Sequence, residues 1–195
     1  MLGVDKSFRI ENRKTLMETL PEGSIVLLFS GKAPHRSADQ QYRFSVNRNF
    51  LYMTGIGREN LALLMIKKNG KVSERLYIDP VNERYQKWSG RQLTPEQATE
   101  TSGITDVREN TNLYKELNAE LTGYAVSGLC LDLFRYAYDD GQSAEQVLAC
   151  QLRNNYPGLA ISSISNAIYG MRRIKSPGEI ESIRKAIAIT NDGIN

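Results

Sequence analysis

An α/β fold, with a mixed β-sheet flanked by helices on both faces, is predicted by three features of the sequence. Continuous apolar runs at 24–29 and 61–66 have the length and character of strands buried on both sides. The run at 75–78 follows the second of these across Asn69 and Gly70, a dipeptide that closes hairpins, so an antiparallel pairing enters the sheet. Helix start signals then separate these strands from later ones, and such alternation places helices on both sheet faces.

Residues 5–20 carry Phe8, Leu16, Met17 and Leu20 among many charges, which reads as a surface helix stopped by Pro21 and Gly23. The strand at 24–29 runs directly into a polar loop, 31–41. Beyond the hairpin, Asp79 supplies a side-chain cap and Pro80 the one residue that loses nothing by lacking an N–H at the first helical position. Val81, Arg84, Tyr85 and Trp88 share a face of that helix, which Gly90 ends, so Trp88 falls in its last turn. Residues 105–107 read as a short strand and 113–121 as a helix. Residues 125–134 read as a longer strand, with Leu129, Leu131 and Leu133 on one face and Asp132 on the other. Ser143 with Gln146 is a capping box, and Pro157 with Gly158 stops the helix it starts. Residues 159–164 supply a last strand and 166–171 a short helix. A second box, Ser176 with Glu179 and Pro177 between them, starts a helix on which Ile180, Ile183, Ile187 and Ile194 follow the helical period. That stripe needs a partner, in this domain or outside it.

The chain has 195 residues, 41% of them apolar, enough for one domain with a sizeable core. A net charge of +3, from 25 basic and 22 acidic residues that look scattered, lacks the footprint of a nucleic-acid binder. The longest apolar run is far short of the roughly twenty residues that cross a bilayer, and the start lacks a signal-peptide pattern. The expectation is a cytoplasmic protein with no membrane partner, in which Cys130 and Cys150 stay reduced. His35 is the only histidine, so neither a multi-histidine zinc site nor a Ser-His-Asp centre is available. No catalytic residue and no metal ligand is assigned, and Gly31-Lys32 lacks the glycine spacing of a phosphate loop.

Two segments carry more aromatic and charged residues than a core requires, 36–55 and 88–91. Taken alone, Asp39 and Asp79 are turn or cap residues, and the spacing of Trp88 with Val81 and Tyr85 favours a core position. Tyr42, Arg43, Phe44, Arg48, Phe50 and Tyr52 also offer an RNA-stacking reading, against which the near-neutral charge argues.

The order Ser37-Ala38-Asp39, Tyr42, then Phe50, Tyr52, Thr54 and Gly55, then Trp88, Gly90 and Arg91 resembles the N-terminal domain of the aminopeptidase P (Xaa-Pro aminopeptidase) family, which has prolidases and creatinase as wider relatives. The likeness continues through Ala98, Gly103 and Val107 and through Arg173, Lys175, Ser176, Glu179 and Ile180. It implies a creatinase/aminopeptidase P-like N-terminal domain over 1–172. Residues 173–195 would then be a linker and the first helix of a pita-bread catalytic domain largely absent from this chain. Family members hold two metal ions, expected here to be manganese, on two Asp, one His and two Glu of that domain, so this chain alone is expected to be inactive and to carry no cofactor. The implied partners are its own catalytic domain, a second copy in a dimer or tetramer, and a proline-containing peptide, with no nucleic acid. The resemblance also moves Trp88, Asp39 and Arg91 to a substrate entrance, Trp88 and Asp39 at that of a neighbouring subunit, with Arg91 orienting the loop or meeting a peptide carboxylate. Tyr42-Arg43-Phe44-Ser45 and Arg48-Asn49-Phe50 stand where close relatives have Y-P-[FY]-R and S-D-F, and Gln92 replaces an arginine. A prolidase acting on dipeptides, or a metal-free relative serving as a binding module, are the alternatives.

Overall fold

The computed structural model describes residues 5–81, 86, 90–123 and 125–194. Its centre is a six-stranded sheet in the order β6-β5-β4-β1-β7-β8. The strands are β1 (Ser24–Phe29), β4 (Ala62–Lys68), β5 (Lys71–Ile78), β6 (Val107–Glu109), β7 (Gly128–Leu131) and β8 (Ile161–Ser163), while β2 (His35–Ser37) and β3 (Gln40–Gln41) form a separate small hairpin. β4 pairs antiparallel with β1 and β5, and the other pairings are parallel, so the sheet is mixed as the sequence predicts. Asn69 and Gly70 both take positive φ at the β4–β5 turn, the conformation that matches a tight turn to strand twist.

Helices cover both faces. One core layer joins Val26 and Leu28 of β1 to α1 (Lys6–Glu18), α2 (Arg48–Thr54), α3 (Pro95–Ser102) and α6 (Ser165–Arg173). The other joins Ile25 and Leu27 to α4 (Leu113–Leu121) and α5 (Ala144–Asn155). Alternate residues of β1 thus enter opposite layers, which is why its sequence is apolar without alternation. No helix among the described residues is long and apolar enough to cross a membrane.

Three expectations change, and one falls outside the described residues. The helix expected after Pro80, with Arg84, Tyr85 and Trp88, lies outside the described residues except at Val81, Gln86 and Gly90. The strand expected over 125–134 is only β7, because beyond it Asp132 turns into a polar network and the chain leaves the sheet. The segment 36–55 is not all polar loop: Asn47 caps α2 by accepting from the Asn49 and Phe50 N–H groups, and Phe50 is 0% exposed. The RNA-stacking row is thereby broken, since Phe50 faces the core. The helix α3 is announced by Thr94, Pro95 and Gln97, a capping box with proline at the first helical position, a signal of the kind that marks α5.

The third change concerns α1. Its buried face includes Arg9, Asn12 and Arg13 beside Leu16 and Met17, so it is no simple surface helix. The Arg9 guanidinium donates to the Thr101 carbonyl at 2.8 Å, and Arg13 donates to the Met53 carbonyl at 2.7 Å. Both carbonyls lie in the last turn of a helix, α3 and α2, where acceptors lack internal partners and positive charge is favoured. These two helices end alike, each with a left-handed glycine, Gly55 or Gly103, preceded by a hydroxyl that bonds back into the helix and accepts the next N–H. A Cβ on Gly55 would lie 2.0 Å from Arg9 Nε, so the glycine is also what lets the arginine pack.

The chain ends in α7 (Pro177–Ile194), which Ser176 and Glu179 start through the reciprocal bonds of a capping box. None of its residues is buried, and exposure along the isoleucine stripe runs from 40% at Ile180 to 79% at Ile194.

Candidate functional site

The parallel strands β1, β5, β6 and β7 end at one edge of the sheet, and the segments that follow them build the candidate site. Ser30 fastens this edge: its N–H donates to Leu61 O, its carbonyl accepts from Asn47 N, and its hydroxyl accepts from Leu61 N at 2.9 Å. From there the chain rises into the β2–β3 hairpin, closed by Tyr42 N–H donating to Pro34 O. Asp39 sits exposed at its tip beside Ala38, which has a φ of 49°. His35 Nε2 lies 2.8 Å from the Ala38 carbonyl, so the lone histidine serves the turn. The Arg36 guanidinium stands 5.8 Å from the centre of the Tyr42 ring, a cation–π distance.

Arg91 is exposed at the same edge, lining a small cavity with Arg58, Glu59 and Asp79. Glu59, in that cavity, accepts through Oε2 from the Ala33 N–H at the root of the hairpin at 3.0 Å. The Asp39 hairpin and Arg91 therefore both adjoin Glu59, and among the described residues no hydrogen bond or ion pair joins Asp39 to Arg91 directly, so their connection is by neighbourhood. Asp79, expected as a helix cap, accepts through Oδ1 from the side-chain amides of both Asn60 and Asn110, which binds the ends of β5 and β6 to the start of β4. Trp88, the third predicted entrance residue, lies outside the described residues.

Beside the hairpin root a groove of about 760 Å³ opens between the end of β1 and the starts of α4 and α5. Phe29, Leu61, Ala62 and Leu113 make its floor, and Lys32, Asn60, Asn110 and Gln142 its rim. The size and the position outside the carboxyl ends of parallel strands are those at which α/β sheets bind ligands. Sequence reasoning missed its buried carboxylate, Glu145, which looks on paper like an ordinary first-turn acid of α5. It is 3% exposed, and Oε1 accepts from the Phe29 N–H at 3.3 Å.

Burial above all raises the Glu145 carboxyl from its ordinary value of 4.5, against hydrogen bonds that lower it, and the charge of Asp132 raises it further. The native state then holds this proton to higher pH than the unfolded chain does. Its contribution to stability is therefore lost as pH rises from the unfolded value through the native one. Glu145→Gln is expected to remove that loss. In urea titrations between about pH 4 and about pH 8 the variant should gain stability relative to the unsubstituted chain as pH rises, and a constant difference would contradict the assignment.

Asp132 is the other acid of this edge that burial makes prominent. Its Oδ2 accepts from Asn49 Nδ2 at 2.7 Å and its Oδ1 from Ser165 Oγ at 2.6 Å, which ties α2 and α6 to the end of β7. Arg172 extends the chain of bonds by donating to Asn49 Oδ1 at 2.8 Å. All of these groups are occupied in holding elements together.

Among the described residues no group of three or more His, Cys, Asp or Glu side chains is arranged to hold a metal ion. The donor set among the described residues does not fit a dinuclear metal centre, and the Ser165 hydroxyl that donates to the Asp132 carboxylate is buried. What this edge offers is shape, hydrogen bonds and charge on exposed loops.

Comparison with known proteins gives these features a context. The family model described as "Aminopeptidase P, N-terminal domain" matches residues 10–128. The Xaa-Pro aminopeptidase of Escherichia coli strain K12 is 30% identical over 186 residues, covering 91% of this chain and 41% of the relative. A solved structure described as a candidate aminopeptidase P from Bacillus anthracis superposes with a TM-score of 0.94 at 36% identity, over 98% of this chain and 46% of its own. Aminopeptidase P from E. coli with the inhibitor Pro-Leu shares the fold, with a TM-score of 0.79 at 23% identity. The chain thus spans less than half the length of these relatives.

Proposed function

Because the chain belongs to the aminopeptidase P N-terminal domain family, we propose that it is the non-catalytic N-terminal half of a metal-dependent Xaa-Pro aminopeptidase, cytoplasmic and homo-oligomeric, which removes the residue preceding proline. Its role in that enzyme is to assemble subunits and to form one wall of the peptide entrance. The observation that carries this reading is the convergence of the Asp39 hairpin and the Arg91 segment, through Glu59, on one exposed edge that holds no catalytic cluster among the described residues. The proposed wall extends to Trp88, which stands three positions before Arg91 in the sequence. The exposed isoleucine face of α7 is read as the seat of the catalytic domain, since an apolar helix face is stabilised mainly by tertiary contact. That domain would carry the two metal ions, manganese in this reading, and the hydrolytic chemistry.

Activity, metal content and stability test this. The 195-residue chain is expected to leave Xaa-Pro peptides uncleaved and to hold no stoichiometric transition metal, and hydrolysis lost on chelation would place the centre here after all. In the longer protein, Trp88→Ala, Asp39→Ala and Arg91→Ala should each lower kcat/KM on Xaa-Pro peptides by about tenfold with metal content unchanged. In the isolated chain Trp88→Ala should shift unfolding by no more than about 1 kcal/mol. A large stability loss with unchanged kinetics would make Trp88 a core residue. Cleavage confined to dipeptides would favour a prolidase.

A further inference from the structure

A second groove, which shares no lining residue with the cavity at Arg91, lies where α1, α2, α6 and the start of α7 meet. It has a volume of about 590 Å³ and carries five cationic side chains, Arg9, Arg48, Arg172, Arg173 and Lys175, against one carboxylate, Glu179. The whole chain has a net charge of only +3, so its excess positive charge is concentrated here and the remainder is close to neutral. The basic residues that look scattered in the sequence are gathered by the fold.

Three of the five are fixed in place by neutral acceptors. Arg9 donates to Thr101 O, Arg172 to Asn49 Oδ1, and Lys175 Nζ to the carbonyls of Arg172 and Arg173 at the end of α6. These contacts orient the side chains, and those of Arg172 and Lys175 supply no counter-charge. Elsewhere on the surface cations meet acids, as at Lys185 with Glu181, Arg108 with Asp106 and Arg75 with Glu120. Among the described residues no carboxylate forms an ion pair with Arg48, Arg172 or Arg173, and Arg48 and Arg173 are exposed. Arg48 also occupies the first turn of α2, where the helix dipole disfavours a cation, so helix stability does not account for it. Phe8 and Tyr52, packed edge to face at 5.4 Å, wall the groove together with Tyr169.

We infer that this groove binds a multiply charged, phosphate-bearing anion, with Arg48 and Arg173 as the clamping side chains and Arg172 and Lys175 as fixed positive charges beneath it. Guanidinium forks match phosphate oxygens in pairs, and the volume lies in the range of small-ligand sites. Lys175 and Glu179 belong to the joint and first turn of α7, so an occupant touches the root of that helix as well as the domain. The site is separate from the proposed entrance and stands whether or not that reading holds.

The test is calorimetric titration of the 195-residue chain with inorganic pyrophosphate at low ionic strength. Saturable 1:1 binding is expected, weakened about tenfold or more by Arg48→Glu and by Arg173→Glu, the scale of losing a charge-assisted hydrogen bond. Arg173→Lys should bind with intermediate affinity, because it keeps the charge and loses the fork. Lys14→Glu, on the outer face of α1, should bind as the unsubstituted chain does. Thermal unfolding of each variant without ligand shows that it is folded. Absence of saturable binding, or affinities that Arg48→Glu and Arg173→Glu leave unchanged, would overturn the proposal. So would tighter binding of a glutamate-rich peptide than of pyrophosphate, which would make the groove the seat of an acidic protein surface.

Discussion

Phe50→Ala is expected to lower the unfolding free energy of the chain by about 3–5 kcal/mol, the cost of emptying a large aromatic site in a packed core. Phe50 is 0% exposed and packs in the layer that holds Met53, Leu16 and Leu63, so α2 is fastened to the sheet and to α1 largely through it. Tyr42→Ala, eight residues earlier on an exposed position, should change stability by less than about 0.5 kcal/mol. Urea denaturation of the two variants measures the contrast. Equal costs would mean that the aromatic segment is a single surface, as the RNA-stacking reading requires, and that α2 does not pack as described.

That contrast marks where the sequence is informative. In β1 and β4 apolar residues occupy both faces, and composition alone announces a central position. Caps are equally legible, because Ser143 with Gln146 and Ser176 with Glu179 act within four residues of sequence. Thr94 with Gln97 carries the same information, and α3 follows from it. Segment 36–55 is harder, since hairpin and helix both begin among polar residues and only the cap at Asn47 divides them.

What the sequence hides is long-range polar pairing. Asp132 meets Asn49 and Ser165 across separations of 83 and 33 residues, and nothing local distinguishes it from a solvent-facing acid on a strand. Glu145 is likewise camouflaged by a position where acids favour helix starts. The basic groove is the same case on a larger scale. Arg9, Arg48 and Arg172 come from three helices, so their convergence is a property of the packing and not of any run of charge. The candidate residues divide along this line as well: the motif supplied Asp39 and Arg91, and only the fold places Glu59, bonded to the hairpin root, in the cavity that Arg91 lines.

Arg13 is the extreme instance and carries the second large expectation. Its side chain is 0% exposed, Nη1 donates to Met53 O at 2.7 Å, and Nε lies 3.0 Å from Glu74 Oε1, at an angle that makes an ion pair without a well-aligned hydrogen bond. Nη2 has no hydrogen-bond partner among the described residues, so this guanidinium is held by charge and by one carbonyl. Arg13→Met keeps much of the volume but strips the Met53 carbonyl of its donor and Glu74 of its counter-charge. Removing one member of such a buried pair costs about 3–5 kcal/mol. Glu74→Gln should cost less, because the glutamine amide oxygen still faces the guanidinium and the bond to the Met53 carbonyl is kept. The double variant Arg13→Met, Glu74→Met should recover part of the loss, since an apolar pair carries no stranded charge. Urea denaturation of the two single variants and the double variant gives these values directly. A loss below about 1 kcal/mol for Arg13→Met would show that the guanidinium is hydrated in solution, and that α1 is bound to the sheet by Leu16 and Met17 alone.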